Sequence, residues 1–422
     1  MSISGTAEAG ASVGKGAALD AVLGRAVERS QRRHRWIMAG LMAPSVLFVV
    51  AFLVLPIGLF LWRAVDNPEI PRYLPRTAAA AALWSEGDRP PEAFYAALVE
   101  DLRGLGDTPA VGLIGRRLNY AVPGYRGLVT KTVRRLPDAG VPSKRDALLE
   151  IDARWGDPRY LAVLQRQSGP VTDFYLLGAL DLERAPDGSI SRVAPEQAIF
   201  IDLYGRTLVV SLGVTAVCLI VGYPVAAVMA SAGPAAANWL LMLVLVPFWT
   251  SLLVRSTAWV ILLQNEGLVN KGLIALGLVD KPLALVFNRV GVFVAMVHVL
   301  LPYMILPLYS VMKGISPNHL RAAASLGAPP FRVFRTVFLP LSLPGVAAGC
   351  TLVFVLAVGF YVTPALVGGP GDQMIGYFIA YFTNSAVNWG LASALGAFLL
   401  LLVAAVYAVL GRAVGFERLK VR

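Results

Sequence analysis

The residues with the most distinctive types and spacing form a run of small, cationic and proline-punctuated positions, Ser316–Gly345 (SPNHLRAAASLGAPPFRVFRTVFLPLSLPG). Its chemistry is that of contact between macromolecules. Ser316-Pro317 suits a helix start, with the hydroxyl as acceptor and proline at the first helical position. Leu320–Leu326 then predicts about two turns with small side chains along one face. Gly327 is placed to end them, because glycine takes left-handed backbone angles freely. Pro329-Pro330 blocks immediate resumption, and a second helix is expected from near Phe331 toward Leu339-Pro340. Small residues on an exposed helix let a partner's groove approach closely; the alternative is an ordinary amphipathic loop.

Groups that make or break bonds are missing. The sequence has no GxxxxGK[ST] phosphate loop, no HExxH, no GxSxG setting and no paired carboxylates within an apolar run. Cys218 and Cys350 lie inside apolar runs, and with three histidines in the chain a Cys/His metal centre lacks ligands. No catalytic role, metal or cofactor is therefore expected.

A second set of residues carries polarity or aromatic faces into or beside apolar runs. Arg255 either snorkels to an interface, pairs within the protein, or faces a polar path. His298 suits a helix–helix hydrogen bond or a solute contact. Glu266, Asp280 and Asp372 fall in connecting loops, where they are either solvated or able to guide a cation. Trp249, Trp259, Tyr303, Tyr361 and Tyr377 are candidate ring partners for a cation. The first four, with Arg255, Glu266 and Asp372, form the candidate translocation path. Pro247, Pro302, Pro307 and Pro364 interrupt the apolar runs, as kinks that shape a cavity or as ordinary membrane-helix prolines.

The elements that must position these groups are membrane spans. Hydrophobic residues make up 57 % of the chain and charged ones 15 %, against about 25 % charged in an average soluble domain. Six stretches approach the roughly 20 residues a helix needs to cross a bilayer: Ile37–Leu61, Thr207–Ala230, Trp239–Leu263, Val290–Met312, Leu341–Val367 and Leu391–Leu410. The second and third are separated at Ser231-Ala-Gly-Pro234. Backbone groups cannot stay unpaired in hydrocarbon, so all six are expected as helices.

The net charge of +11 reads as a topology signal and not as a nucleic-acid footprint, because many Lys and Arg flank apolar runs. Arg25, Arg29, Arg32, Arg33 and Arg35 place the N-terminus inside. Lys313, Arg321, Arg332 and Arg335 place the fourth-to-fifth connection inside. Arg412, Arg418, Lys420 and Arg422 do the same for the C-terminus. The expected organisation is a disordered cytoplasmic tail 1–36, a first transmembrane helix 37–63, an extracytoplasmic insert 66–199, a transmembrane domain 204–411 and a cytoplasmic tail 412–422. Within the insert, Pro91–Leu105 predicts a helix, Asp173–Leu182 a strand, and Ala185-Pro-Asp-Gly188 a turn into another strand. A folded insert of mixed α and β content is expected.

The Ser316–Pro340 segment resembles the EAA loop of type-1 (MetI-like) ABC importer permeases. Ala322, Ala323, Gly327, Val337, Leu339 and Pro340 fall in the register of that pattern, and Leu326, Ala328 and Phe334 are also similar. Arg321 stands where the family has glutamate. The resemblance implies that Arg321, Ala322, Ala323, Leu326, Gly327, Ala328, Phe331, Leu339 and Pro340 couple the chain to a cytoplasmic ATPase. Gly222-Tyr-Pro224, Pro247-Phe-Trp-Thr-Ser251, Leu253–Trp259, Asn265–Asn270, Leu301–Pro307 and Phe360–Pro370 resemble polyamine-type permeases. Together these segments span roughly 206–411.

The resemblance implies an all-α membrane fold of six helices and a permease forming half of a solute pathway, with polyamines as candidate solutes. The implied partners are an ABC ATPase dimer, a second permease (different or a second copy), an extracytoplasmic solute-binding protein and the bilayer of a bacterial inner membrane; no nucleic acid is implied. The rival reading is a membrane receptor or sensor whose insert binds ligand. Co-purification of an ATPase discriminates between them.

Overall fold

The computed structural model describes residues 31, 34–84, 89–138, 140–185 and 188–414. The tail residues Arg25, Arg29, Arg32, Arg33, Arg418, Lys420 and Arg422 lie outside that set, as do Pro186-Asp187 of the expected turn and the side chain of Arg412. The chain divides after Trp62 into two units. The first contains one apolar helix, α1 (His34–Trp62), with a π-helical turn at Val50–Val54 ahead of Pro56. Proline supplies no N–H and its ring crowds the carbonyl four residues back, and a widened π turn absorbs both defects.

In the second unit, the segment between α1 and the remaining apolar helices is mostly helical. It contains α2 (Glu69–Tyr73), α3 (Pro75–Ala81), α4 (Glu92–Leu105), α5 (Pro109–Ala121), α6 (Tyr125–Arg134), α7 (Lys144–Ile151), α8 (Pro158–Arg166) and α9 (Phe174–Gly178). The predicted Pro91–Leu105 helix is present as α4. Its Phe94, Leu98 and Leu102 recur every four residues and are buried with Tyr95, Ile114, Leu118, Tyr125, Leu128, Leu148, Trp155 and Leu164. Polar tips in this core find partners. Trp155 Nε1 donates to Thr132 Oγ1 at 2.8 Å, and Tyr125 Oη donates to the Tyr160 carbonyl at 2.9 Å.

The expected insert of mixed α and β content is mostly α. Among the described residues its β content is one antiparallel hairpin, β1 (Leu182–Arg184) with β2 (Ile190–Arg192), with Arg184 opposite Ile190. The strand expected after residues 185–188 is present as β2. Asp173–Leu182, expected as a strand, is helical over Phe174–Gly178 (α9) and reaches strand β1 only at Leu182. Thr172 Oγ1 accepts from Phe174 N at 3.1 Å, and the Tyr175 ring fills the space beside Gly390, where an added Cβ would lie 2.2 Å from the ring. Tertiary packing overrides the β preference of the aromatic and branched residues there.

The helices that follow are α10 (Phe200–Ser231), α11 (Pro234–Leu245), α12 (Leu252–Leu263), α13 (Leu268–Ala275), α14 (Arg289–Lys313), α15 (Pro317–Ser325), α16 (Pro330–Gly359), α17 (Val362–Val367), α18 (Ile375–Asn384) and α19 (Trp389–Val414). Helices α1, α10, α14, α16 and α19 are each long and apolar enough to cross a membrane. A sixth candidate is the pair Pro234–Trp249 and Leu252–Ala275, bent by 97°. The third predicted span, Trp239–Leu263, is thus not one straight helix. Thr250 and Ser251 are extended, and Ser251 Oγ restarts the helix by accepting from Val254 N at 3.2 Å.

The fifth predicted span, Leu341–Val367, is displaced. Its helix begins at Pro330, passes through a π-helical turn at Phe334–Phe338 that accommodates Pro340, and ends at Gly359; α17 is separate. The second helix of the loop segment and the fifth span are therefore one element.

Helices α10, α14 and α16 form the membrane core, around Val214, Cys218, Met296, Leu300, Met304, Leu308 and Val353. Close approach depends on glycine. An added Cβ at Gly349 would stand 2.8 Å from Met304 Sδ, and one at Gly345 would stand 3.0 Å from Val311 Cβ.

Candidate functional site

The loop segment is built outward from this core. Met312 is buried at the end of α14, and the chain leaves the bundle through Gly314. Ser316 Oγ accepts from Asn318 N at 3.3 Å and starts α15, as its position predicts. Gly327 has φ +80°, and its N–H donates to the Ala324 carbonyl at 2.9 Å, so glycine ends the helix for the expected reason.

No residue of α15 is buried. Arg321, Ala322, Leu326, Gly327, Phe331 and Pro340 are exposed, whereas Ala323, Ala328 and Leu339 are half-buried. Leu326 is 89 % exposed and Phe331 73 %, two large apolar side chains left uncovered on either side of the glycine turn. Behind them, Tyr223 Oη lies 2.9 Å from Ser342 Oγ, and the Tyr223 ring meets Phe334 edge-on at 6.2 Å. These contacts anchor the base of the segment to α10.

The seven candidate path residues do not gather around one point. Trp249 is 76 % exposed at the bend, and the Glu266 carboxylate is exposed with Lys271 Nζ at 4.0 Å. Tyr303 packs edge-on to Phe248 at 5.0 Å, and Trp259 packs edge-on to His298 at 5.4 Å, tying both sides of the bend to α14. Tyr361 sits between α16 and α17, half exposed.

Asp372 is neither solvated nor open to a cation. It is buried, accepts from Arg289 Nε at 3.2 Å and from Gly369 N at 3.2 Å, and holds the start of α14 to the loop after α17. Arg255 has Nε and Nη1 enclosed with no hydrogen-bond partner among the described residues, so internal pairing is not observed there. His298 Nδ1 is likewise enclosed and unpartnered, and its contact is the Trp259 ring. No group of three or more potential metal ligands occurs among the described residues.

Sequence reading missed several positioning residues. Ser256 and Thr363 share a hydroxyl–hydroxyl bond of 3.0 Å that joins α12 to α17. Asp181 accepts from the N–H groups of Ile199, Phe200 and Ile201 at 2.7–3.0 Å and caps α10. Arg117 is buried without a carboxylate. Its Nε donates to Asn67 Oδ1 at 3.1 Å, and its guanidinium lies over the rings of Phe174 and Tyr175. Burial pushes its pKa down, and burial pushes the Tyr175 hydroxyl up to about 12. Tyr120 Oη donates to the Ala386 carbonyl at 3.1 Å and ties this helical segment to the loop before α19. No local signal marked them: Asp181 lies 18–20 residues before the N–H groups it caps, and the rest pair across longer sequence separations.

A bundle of long apolar helices, with a short glycine-terminated helix exposed between two of them, defines a polytopic membrane protein. The family profile described as "Binding-protein-dependent transport system inner membrane component" matches residues 222–416. The chain is 36 % identical over 219 residues to the spermidine/putrescine transport system permease protein PotB of Haemophilus influenzae, covering 51 % of this chain and 77 % of that protein. It is 34 % identical to the PotB of Escherichia coli, covering 46 % and 71 %. It is 31 % identical to the inner membrane ABC transporter permease protein YdcU of Escherichia coli, covering 58 % and 82 %. A bacterial ABC transporter involved in alginate import superposes with a TM-score of 0.41 at 16 % identity, over 52 % of this chain and 81 % of that one.

The chain belongs to the family of inner-membrane components of binding-protein-dependent transport systems. It is a multi-pass permease subunit of an ABC importer. ATP hydrolysis resides on a separate subunit, and the family works with an ATPase and a periplasmic binding protein.

Proposed function

We propose that this permease forms half of a translocation pathway for polyamines or closely similar small organic cations. In this reading it pairs with a second permease, receives solute from an extracytoplasmic binding protein, and is driven through residues 316–340 by a cytoplasmic ATPase dimer. Both termini and the 316–340 segment are cytoplasmic, and residues 66–199 are external. The observation that carries the coupling assignment is the exposed, serine-capped α15 ending in the left-handed Gly327, held away from the core yet anchored at its base.

The solute assignment rests on the relatives named for spermidine and putrescine transport and on the available groups. An ammonium leaving water needs an anion or ring faces. Trp259 and Tyr303 supply rings on the two sides of the bend, Tyr361 a half-exposed ring between α16 and α17, and Glu266 an exposed carboxylate. Arg255 is the element against a bare cation at that point.

Uptake of radiolabelled putrescine and spermidine, in cells with and without the gene, tests the solute. Gene-dependent uptake is expected; equal uptake overturns the polyamine assignment. Cysteine labelling in intact cells tests the orientation. Labelling from outside near Lys313 overturns it.

A further inference from the structure

The exposed segment carries a positive charge that no carboxylate among the described residues pairs with. From Lys313 to Pro340 it carries Lys313, Arg321, Arg332 and Arg335, together with His319, and no carboxylate. The nearest acids along the chain are Asp280 and Asp372, and Asp372 is bound to Arg289. The Arg321 guanidinium makes no hydrogen bond or ion pair among the described residues.

Arg332 and Arg335 lie at the start of the α16 span, where lipid phosphates reach them. Arg321 is different. It sits on α15, beside Ala322, Ala323 and Ala324, on a helix with Leu320 as its one large apolar residue. A helix that lies on a membrane inserts a broad face of large apolar side chains, which α15 lacks. Its small residues suit close approach by a protein groove. Such a groove removes water from Arg321, and a guanidinium deprived of water needs a counter-charge.

Resting on the coupling role proposed above, we infer that the groove of the cytoplasmic ATPase receiving α15 carries a carboxylate opposite Arg321, and that this charge pair selects the ATPase the permease accepts. Charge complementarity of this kind governs partner choice and association rate more than it adds bulk affinity. The apolar contact falls to Leu326 and Phe331, which flank the glycine turn and are the most exposed large apolar side chains of the segment.

The test uses the full-length permease in nanodiscs with the ATPase that assembles with the wild-type protein. Arg321→Glu is expected to weaken association about tenfold or more, while Arg321→Lys stays within a few-fold of wild type. Reversing the facing ATPase carboxylate to lysine is expected to restore binding to Arg321→Glu and to impair binding to wild type. Raising ionic strength should weaken the wild-type pair more than the Arg321→Ala pair.

Equal affinity of wild type and Arg321→Glu overturns the inference. So does a loss that follows the anionic lipid content of the nanodisc and that no ATPase charge reversal restores. If Gly327→Val uncouples transport while Arg321→Glu does not, this inference fails and the coupling role stands. If neither affects association or solute-stimulated hydrolysis, the coupling role itself fails.

Discussion

The helical segment 66–199 and the docking segment 316–338 use the same local devices and are stabilised in opposite ways. Both start helices with serine caps and punctuate them with glycine and proline. In the first, α4 to α8 close over a core in which Phe94, Tyr125, Leu128 and Trp155 are essentially inaccessible. In the second, no residue of α15 is buried and the large apolar residues at its turn point outward. Local helix propensity alone does not hold a nine-residue helix in water. Its cap, its glycine terminus and the anchor of Phe334 on Tyr223 hold α15 in place, with its outer surface exposed. A self-sufficient core makes a domain; the same motifs without one make an exposed element anchored only at its base.

The largest expected effect tests the core. Trp155→Ala removes a buried ring and its bond to Thr132, and should cost about 3–5 kcal/mol, read as a marked fall in the thermal midpoint of the full-length protein in detergent. An unchanged midpoint would mean that the 66–199 core does not contribute to stability.

Next comes Gly327→Val. It forces a β-branched residue into φ +80°, a strain of roughly 1–3 kcal/mol. The strain is confined to an exposed turn, so solute-stimulated ATP hydrolysis should be lost while the thermal midpoint hardly moves. Normal transport by this variant would remove the contrast between the two regions.

A third effect is specific to the domain. Hydrogen bonds from Arg154, then Lys131, hold the Asp152 carboxylate well below the usual range. A carboxylate with a depressed folded-state pKa stabilises fully above the ordinary value of about 4, and the contribution fades as pH falls from there toward the folded value. The midpoint difference between wild type and Asp152→Asn should therefore be greatest near neutral pH and shrink below about pH 4. A difference that grows on acidification would contradict the pairing.

The smallest effect compares like with like. Ser143 Oγ accepts from Asp146 N at 3.2 Å, and Ser316 Oγ accepts from Asn318 N at 3.3 Å. Each alanine substitution should cost about 1 kcal/mol of local helix. Ser143→Ala should lower the global midpoint slightly. Ser316→Ala should leave it unchanged and speed amide hydrogen exchange in α15 alone.

The sequence by itself determined what depends on near neighbours along the chain. Hydropathy located five of the six spans closely enough to identify them, and four-residue spacing located α4 around Phe94, Leu98 and Leu102. Ser316 and Gly327 bounded α15 because caps and left-handed turns are single-residue properties. Tertiary structure decided what depends on distant partners. The apolar run Trp239–Leu263 contains Pro247 and Thr250-Ser251 at its break, but these residues alone do not set a 97° bend; α12 leaves the axis because it packs on α17 and α14, through Ser256 with Thr363 and Trp259 with His298. Asp173–Leu182 looked extended until Gly390 made room for the Tyr175 ring. Asp372 looked like a free loop acid until Arg289, 83 positions away, bound it. Periodicity and propensity act through backbone geometry over a few residues, whereas a charge or a ring finds its lowest energy with whatever the fold brings beside it.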